Sequence, residues 1–278
     1  MAVKWLFPLL LLVMSACTAA RAQPTIRVAL LAPFEGRYRE VGYEALYAAR
    51  LALEAVPSIG LDVELLPIDD GGTVESAADR AHALAADSRV QVVVALGYAA
   101  SSAEVQQALG DLPVIVAGYW GTPPQKPTAF MLASRELETR LTVPTVVEVT
   151  EAARLDAPLT CGQVCALAQY PLLREDLSGV TIVSSGQLPD SDFEQRYLAS
   201  DQFAPEPRLL AALMYDATSI ALQAALAGSG SRASVGQALA ETTYTGLNGS
   251  IRFEDGYWLD APLHTYEYNA NRELVPQE

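Results

Sequence analysis

The stretch from Ile26 to Val56 constrains the fold of this chain most. Ile26–Ala32 is an apolar run broken only by Arg27, and Pro33–Arg37 supplies turn residues. From about Glu40 the pattern turns helical. Val41, Leu46, Ala49, Leu53 and Val56 recur at three- and four-residue intervals, and Arg39, Glu40, Glu44, Arg50 and Glu54 supply much of the polar remainder. Strand, tight turn and long helix make the first half of a βαβ unit, and the pattern repeats. Leu61–Ile68 reads as a strand, Asp69-Asp70-Gly71-Gly72 as a turn, and Thr73 as the N-cap of a helix to about Asp87. Val90–Leu96 is a third strand, followed by the turn Gly97–Ser102. Ser101 or Ser102 caps a short helix to Leu109, and Pro113–Ala117 is a fourth strand ending at Gly118-Tyr119-Trp120-Gly121. This alternation predicts an α/β fold with a parallel, doubly wound sheet and right-handed crossovers. Ligands in such sheets sit at the carboxyl ends of the strands, so the loop Pro33–Arg39 is the first place to look for function.

Beyond residue 121 the periodicity is weaker. Thr122–Pro127 carries three prolines and reads as a loop. Strands are expected at Ala129–Ala133, Thr145–Thr150, Ala157–Cys161 and Gly179–Ser184. Helices are expected at Asp192–Ser200, Arg208–Leu226 and Ser231–Glu241, and two closing strands at Ser250–Phe253 and Pro262–Tyr268.

The N-terminus reads as an export segment. Lys4 precedes an apolar run of twelve residues, Trp5–Ala16, shorter than the ~20 residues a membrane-spanning helix needs. Ala20-Arg21-Ala22 offers one cleavage site, giving a signal peptide over residues 1–22. Met14-Ser15-Ala16-Cys17 resembles a bacterial lipobox and would leave Cys17 lipidated, tethering the protein to a membrane. No later stretch is expected to span a bilayer. The remaining cysteines, Cys161 and Cys165, either pair as a disulfide, which needs an irregular turn that Gly162 could provide, or stay free.

The formal charge of −15 argues against nucleic acid as a partner. With two histidines, His82 and His264, neither in a ligand-spaced cluster, no metal site and no cofactor are expected. Asp69 and Asp70 read as turn and capping residues. There is no G-x-S-x-G elbow and no phosphate loop, and Pro33–Arg39 holds one glycine, so an enzyme is not expected.

Four stretches in order resemble the type I periplasmic solute-binding proteins, in particular the branched-chain amino acid group that serves ABC transporters. They are the opening Ile26–Glu54 segment, Ile68–Gly72, Gly97–Ser102 with Leu112–Ile115, and Ala212–Ala217 through Thr245–Phe253. The resemblance implies a bilobal α/β fold with ligand held in the cleft. Lobe one would comprise 24–133 plus 203–248, and a reduced lobe two 134–202 plus 249–278. It further implies an extracytoplasmic protein that captures a small molecule, polar or amphipathic and possibly amino-acid-like, for an ABC permease. The alternative is a ligand-sensing or scaffold protein that keeps the fold without transport.

By the same resemblance, Ser101 and Ser102 would hold a ligand carboxylate with the helix amides, the bland reading being a plain N-cap. Tyr38, Tyr98, Tyr119 and Trp120 would form an aromatic wall suited to an apolar or cationic ligand, the bland reading being that Trp120 packs under the hinge. Arg37 would meet a ligand anion or remain solvated. The second-lobe stretch Thr160–Gln163 carries no acid for a ligand ammonium, which weighs against an α-amino acid.

Overall fold

The computed structural model describes residues 25–56, 62–142, 148–228 and 231–277. The export segment and Cys17 lie outside them. The first part of the chain alternates as expected: β1 (Thr25–Ala32), α1 (Arg39–Glu54), β2 (Asp62–Asp69), α2 (Val74–Ala86), β3 (Val90–Ala95), α3 (Ala103–Ala108), β4 (Val114–Val116) and β5 (Ala129–Met131). Every residue of β3 is buried, as is β1 from Val28 onward, because helices cover both faces of the sheet. Each such Val or Leu contributes roughly 1.5–3 kcal/mol of burial.

Short elements follow. They are α4 (Leu137–Arg140), α5 (Val149–Ala152), β6 (Leu159–Cys161), α6 (Tyr170–Leu173) and β7 (Val180–Ser184). Then come α7 (Ser191–Ser200), α8 (Leu209–Ala227), α9 (Arg232–Ala240) and the hairpin β8 (Tyr244–Gly246) with β9 (Gly249–Ile251). β10 (Phe253–Glu254), β11 (Tyr257–Trp258), β12 (His264–Tyr268) and β13 (Leu274–Pro276) end the described chain. The strand expected at Thr145–Thr150 is not found where the chain is described: Val149–Ala152 is a helical turn, and 143–147 lie outside the described residues.

Two main sheets result. The first runs β10-β11-β5-β4-β3-β1-β2 and is parallel apart from β10, which pairs antiparallel with β11. The second runs β13-β12-β7-β6, with β6 and β7 parallel and the other pairings antiparallel. Two segments assigned from sequence to the second lobe lie instead with the first sheet and the helices that cover it. The hairpin Phe253–Trp258 adds to its edge through Tyr257 beside Met131. Helix α7 packs on α1 and α8 because Phe193 and Tyr197 are fully buried there, Tyr197 edge-on to Tyr47 and Phe193 to Tyr215.

Helix α8 is long and apolar enough to cross a membrane, contrary to expectation, yet nearly all of it is buried against α1, α9 and strands β1, β3 and β4. It is a core helix. A buried carboxyl, Glu44 of α1, fixes its start: Oε1 accepts from the amides of Arg208 and Ala211, both at 2.9 Å. Asp216, midway along α8, accepts from the amides of Leu247 and Asn248 and from the Asn248 side chain, which fastens the β8–β9 turn.

Candidate functional site

The loops after β1, β3 and β4 emerge at the carboxyl ends of their parallel strands and converge on one cavity. Tyr38 comes from the first loop, Gly97, Tyr98 and Ala99 from the second, and Tyr119, Trp120 and Gly121 from the third. The far wall comes from the second sheet and its connections: Leu141, Glu148, Val149, Gly162, Gln163, Val164 and Leu167. The cavity leaves about 70 Å³ of room for the centres of water molecules and opens into a wider cleft lined by Glu35, Arg37, Asp69 and Glu148.

Local sequence explains the loop paths. Gly42 lets α1 start against the first loop, since a Cβ there would stand 2.0 Å from the Pro33 carbonyl oxygen. Asp69 Oδ1 holds that loop by accepting from the amides of Phe34 and Glu35 at 2.7 and 3.0 Å. Gly118, at φ +84°, turns the chain after β4 hard against the Gln163 side chain. That side chain bridges the two sheets: Oε1 accepts from the Tyr119 amide at 3.3 Å, and Nε2 donates to Ser184 Oγ at 3.0 Å.

A disulfide between Cys161 and Cys165, Cα–Cα 5.9 Å, closes the loop that carries Gly162, Gln163 and Val164. The irregular turn it needs is present as a 3-10 turn over Gln163–Ala166. Across the cleft mouth the Val149 amide donates to Tyr38 Oη at 3.3 Å. Arg37 faces Glu148 at 3.7 Å, and Gln169 Nε2 donates to the Arg37 carbonyl at 3.2 Å.

Residues 25–154 match the family model for periplasmic binding proteins. A leucine-binding protein from Thermotoga maritima superposes with a TM-score of 0.72 at 14% identity, over 91% of this chain and 98% of that one. A branched-chain amino acid transporter substrate-binding protein from Streptococcus pneumoniae, solved with isoleucine, gives 0.66 at 16% identity over 91% and 100%. The fold is that of the type I periplasmic binding proteins. A solute-binding protein of an ABC transporter from R. palustris, solved with benzoate, shares it, at 0.67 and 14% identity over 91% and 95%. No curated protein matches the chain.

Within this type I fold, the cavity brings together Tyr38, Tyr98, Tyr119 and Trp120, the four aromatics singled out from sequence. Trp120 is 7% exposed, and its indole N–H donates to the Ala117 carbonyl at 2.9 Å, so what it offers the cavity is ring surface. Burial pushes the Tyr119 hydroxyl up to about 12 and keeps it neutral.

The two serines do not line the cavity. Ser101 is fully buried with Oγ donating to the Tyr98 carbonyl at 3.4 Å, and Ser102 Oγ accepts from the Val105 amide at 3.3 Å. Ser102 caps α3, Ser101 bonds within the turn before it, and Ala99 takes the wall position.

Asp70, read from sequence as a turn residue, lines the cavity while Oδ1 accepts from the Gly72 amide at 2.8 Å. Burial, and secondarily the charge of Asp69, push its carboxyl up to about 6. Glu148 and Val149 escaped sequence reasoning because they begin a four-residue helical turn with no periodicity to read. Gln163 had one usable signal, its place between two closely spaced cysteines.

Proposed function

We propose that this chain is an extracytoplasmic solute-binding protein that holds a small molecule between two lobes and presents it to an ABC permease. One observation carries the reading: a cavity, rich in aromatic side chains and opening into a cleft, walled on one side by the loops of a parallel sheet and on the other by a second sheet and its connections. The match to the periplasmic binding family supports an extracytoplasmic location. The leucine, isoleucine and benzoate named for the neighbours support a compact organic ligand. Binding would proceed by lobe closure, with no covalent chemistry. Export through either signal-peptide cleavage or lipidation of Cys17 completes the reading, and the mass of the mature N-terminus distinguishes the two. The four-stranded second sheet favours one alternative, a sensor or scaffold that keeps the fold without delivering solute.

The test uses a chain starting at Gln23, whose tryptophans are Trp120 and Trp258. Trp258 is buried at 2% exposure with its indole N–H bonded to the Ser250 carbonyl, so Trp120 is the reporter at the cavity. A ligand at a hundred times its dissociation constant adds ~2.7 kcal/mol of stability and should shift both melting temperature and tryptophan emission. Trp120→Phe should remove the emission change. A well-folded protein that responds to no solute in a broad panel refutes solute capture and favours the sensor or scaffold reading.

A further inference from the structure

Resting on the solute-binding reading, we propose that the ligand of this cavity is a compact organic cation of the alkylammonium class, received by the aromatic wall and by Asp70. Three observations converge on it.

The first is the charge of the lining. Asp70 and Glu148 line the cavity, and among the described residues no lysine, arginine or histidine does. The nearest guanidinium, Arg37, stands in the outer cleft and is engaged by Glu148 at 3.7 Å and by Thr150 Oγ1 at 3.4 Å. A carboxylate ligand entering the cavity would meet two acids and no free cation.

The second is where the polar hydrogens point. The indole N–H of Trp120 is spent on the Ala117 carbonyl, and the Gln163 amide is held between the Tyr119 amide and Ser184. Of the serines after β3, Ser101 Oγ donates to the Tyr98 carbonyl, Ser102 Oγ accepts from the Val105 amide, and neither lines the cavity. These side-chain amide and indole donors are thus committed inside the protein, and the donors left at the cavity are tyrosine hydroxyls, Tyr38 Oη itself accepting from the Val149 amide. Beside those neutral hydroxyls the lining offers π surface and carboxylate, both attractive to a cation.

The third is Asp70 itself. It is 2% exposed, its single hydrogen bond uses one carboxylate oxygen, and among the described residues no cationic side chain pairs with it. Its raised proton affinity is that of a buried acid lacking a counter-ion. A bound cation would supply one, and the apolar groups of Val41, Val149, Leu141 and Leu167 would take the methyl groups.

Size bounds the class. The cavity leaves about 70 Å³ of room for the centres of water molecules, space for a small organic group and not for an extended one. That suits a cation on the scale of tetramethylammonium or choline.

The experiment is calorimetric titration of the Gln23 chain with tetramethylammonium, choline, 3,3-dimethyl-1-butanol (the uncharged carbon isostere of choline), isoleucine and benzoate. The expected result is binding of choline or tetramethylammonium, with the isostere about tenfold weaker or worse and the two carboxylates silent. Asp70→Asn should weaken the cation by about tenfold while sparing the isostere. The comparison of choline with its isostere on the unaltered protein decides the matter even where that variant folds poorly. Equal binding of the isostere, or binding of isoleucine or benzoate in place of the cations, overturns the cation assignment and leaves solute capture standing. Silence of the whole panel on folded protein overturns this assignment, and silence toward the broad solute panel as well takes the binding reading with it.

Discussion

Glu44 is a carboxyl buried at the junction of α1 and α8, and burial raises its pKa from 4.5 to about 7 against the lowering effect of the Arg208 and Ala211 amides. The folded protein therefore holds this proton more tightly than the unfolded chain does. The stability it contributes is complete below about pH 4.5 and is lost as the pH rises through 7, a swing of roughly 3 kcal/mol. In Glu44→Gln the amide oxygen still accepts from both backbone amides, and the titration disappears. Urea midpoints measured from pH 4.5 to 8 should fall less steeply for the variant than for the parent. Asp70 shifts in the same direction and remains in both, so some slope persists. Identical profiles would show that Glu44 does not titrate in this range. The same scale explains what the sequence revealed of the site. The aromatics were legible because a large ring in a turn after a parallel strand has few places to go but the cleft. For the serines two readings stayed open because a hydroxyl at a helix start satisfies the helix's own amides as readily as a ligand's oxygen, and in the structure Ser102 caps α3.

Among the elements, the opening βα repeats were legible because hydrophobic period switches cleanly between strands β1–β3 and helices α1–α3, each of six residues or more. Between Ser134 and Ser178 the helices α4, α5 and α6 have four residues each and the strand β6 three, so no period accumulates. The far wall of the cavity is built there. Its most constrained piece is the loop Cys161–Cys165. A disulfide closing so short a loop contributes about 2 kcal/mol by the loop-entropy relation, and here the loop also presents Gly162, Gln163 and Val164 to the cavity. Replacing both cysteines with serine should lower stability by about that amount. It should also weaken ligand binding, because the freed loop must be ordered again each time a ligand is held. Calorimetric melting with a parallel titration checks both effects. Full affinity in the double variant would mean that packing alone positions the loop.

The whole molecule turns on how firmly the cleft mouth is shut. Among the described residues the contacts across it are few: the Tyr38–Val149, Gln169–Arg37 and Arg37–Thr150 hydrogen bonds, and the Arg37–Glu148 pair, whose side chains are 54% and 45% exposed. An exposed pair of this kind adds about 0–1 kcal/mol, and hydrogen bonds at a wet rim about 0.5–1.5 kcal/mol each. Closure held by so little is an equilibrium that a ligand can shift, provided it binds the closed form more tightly than the open one. Deeper in, the Gln163 bridge to the Tyr119 amide joins the sheets at the cavity floor, where it can act as a pivot that survives opening. The ligand-free Gln23 chain should therefore show a larger radius of gyration by small-angle X-ray scattering than the ligand-saturated one. Tyr38→Phe, which removes the acceptor for the Val149 amide, should shift the ligand-free population further toward the open form and raise the ligand dissociation rate. A radius unmoved by ligand and by this substitution would mean that the lobes are locked, which suits a rigid scaffold and not a clamp that must open to deliver its solute.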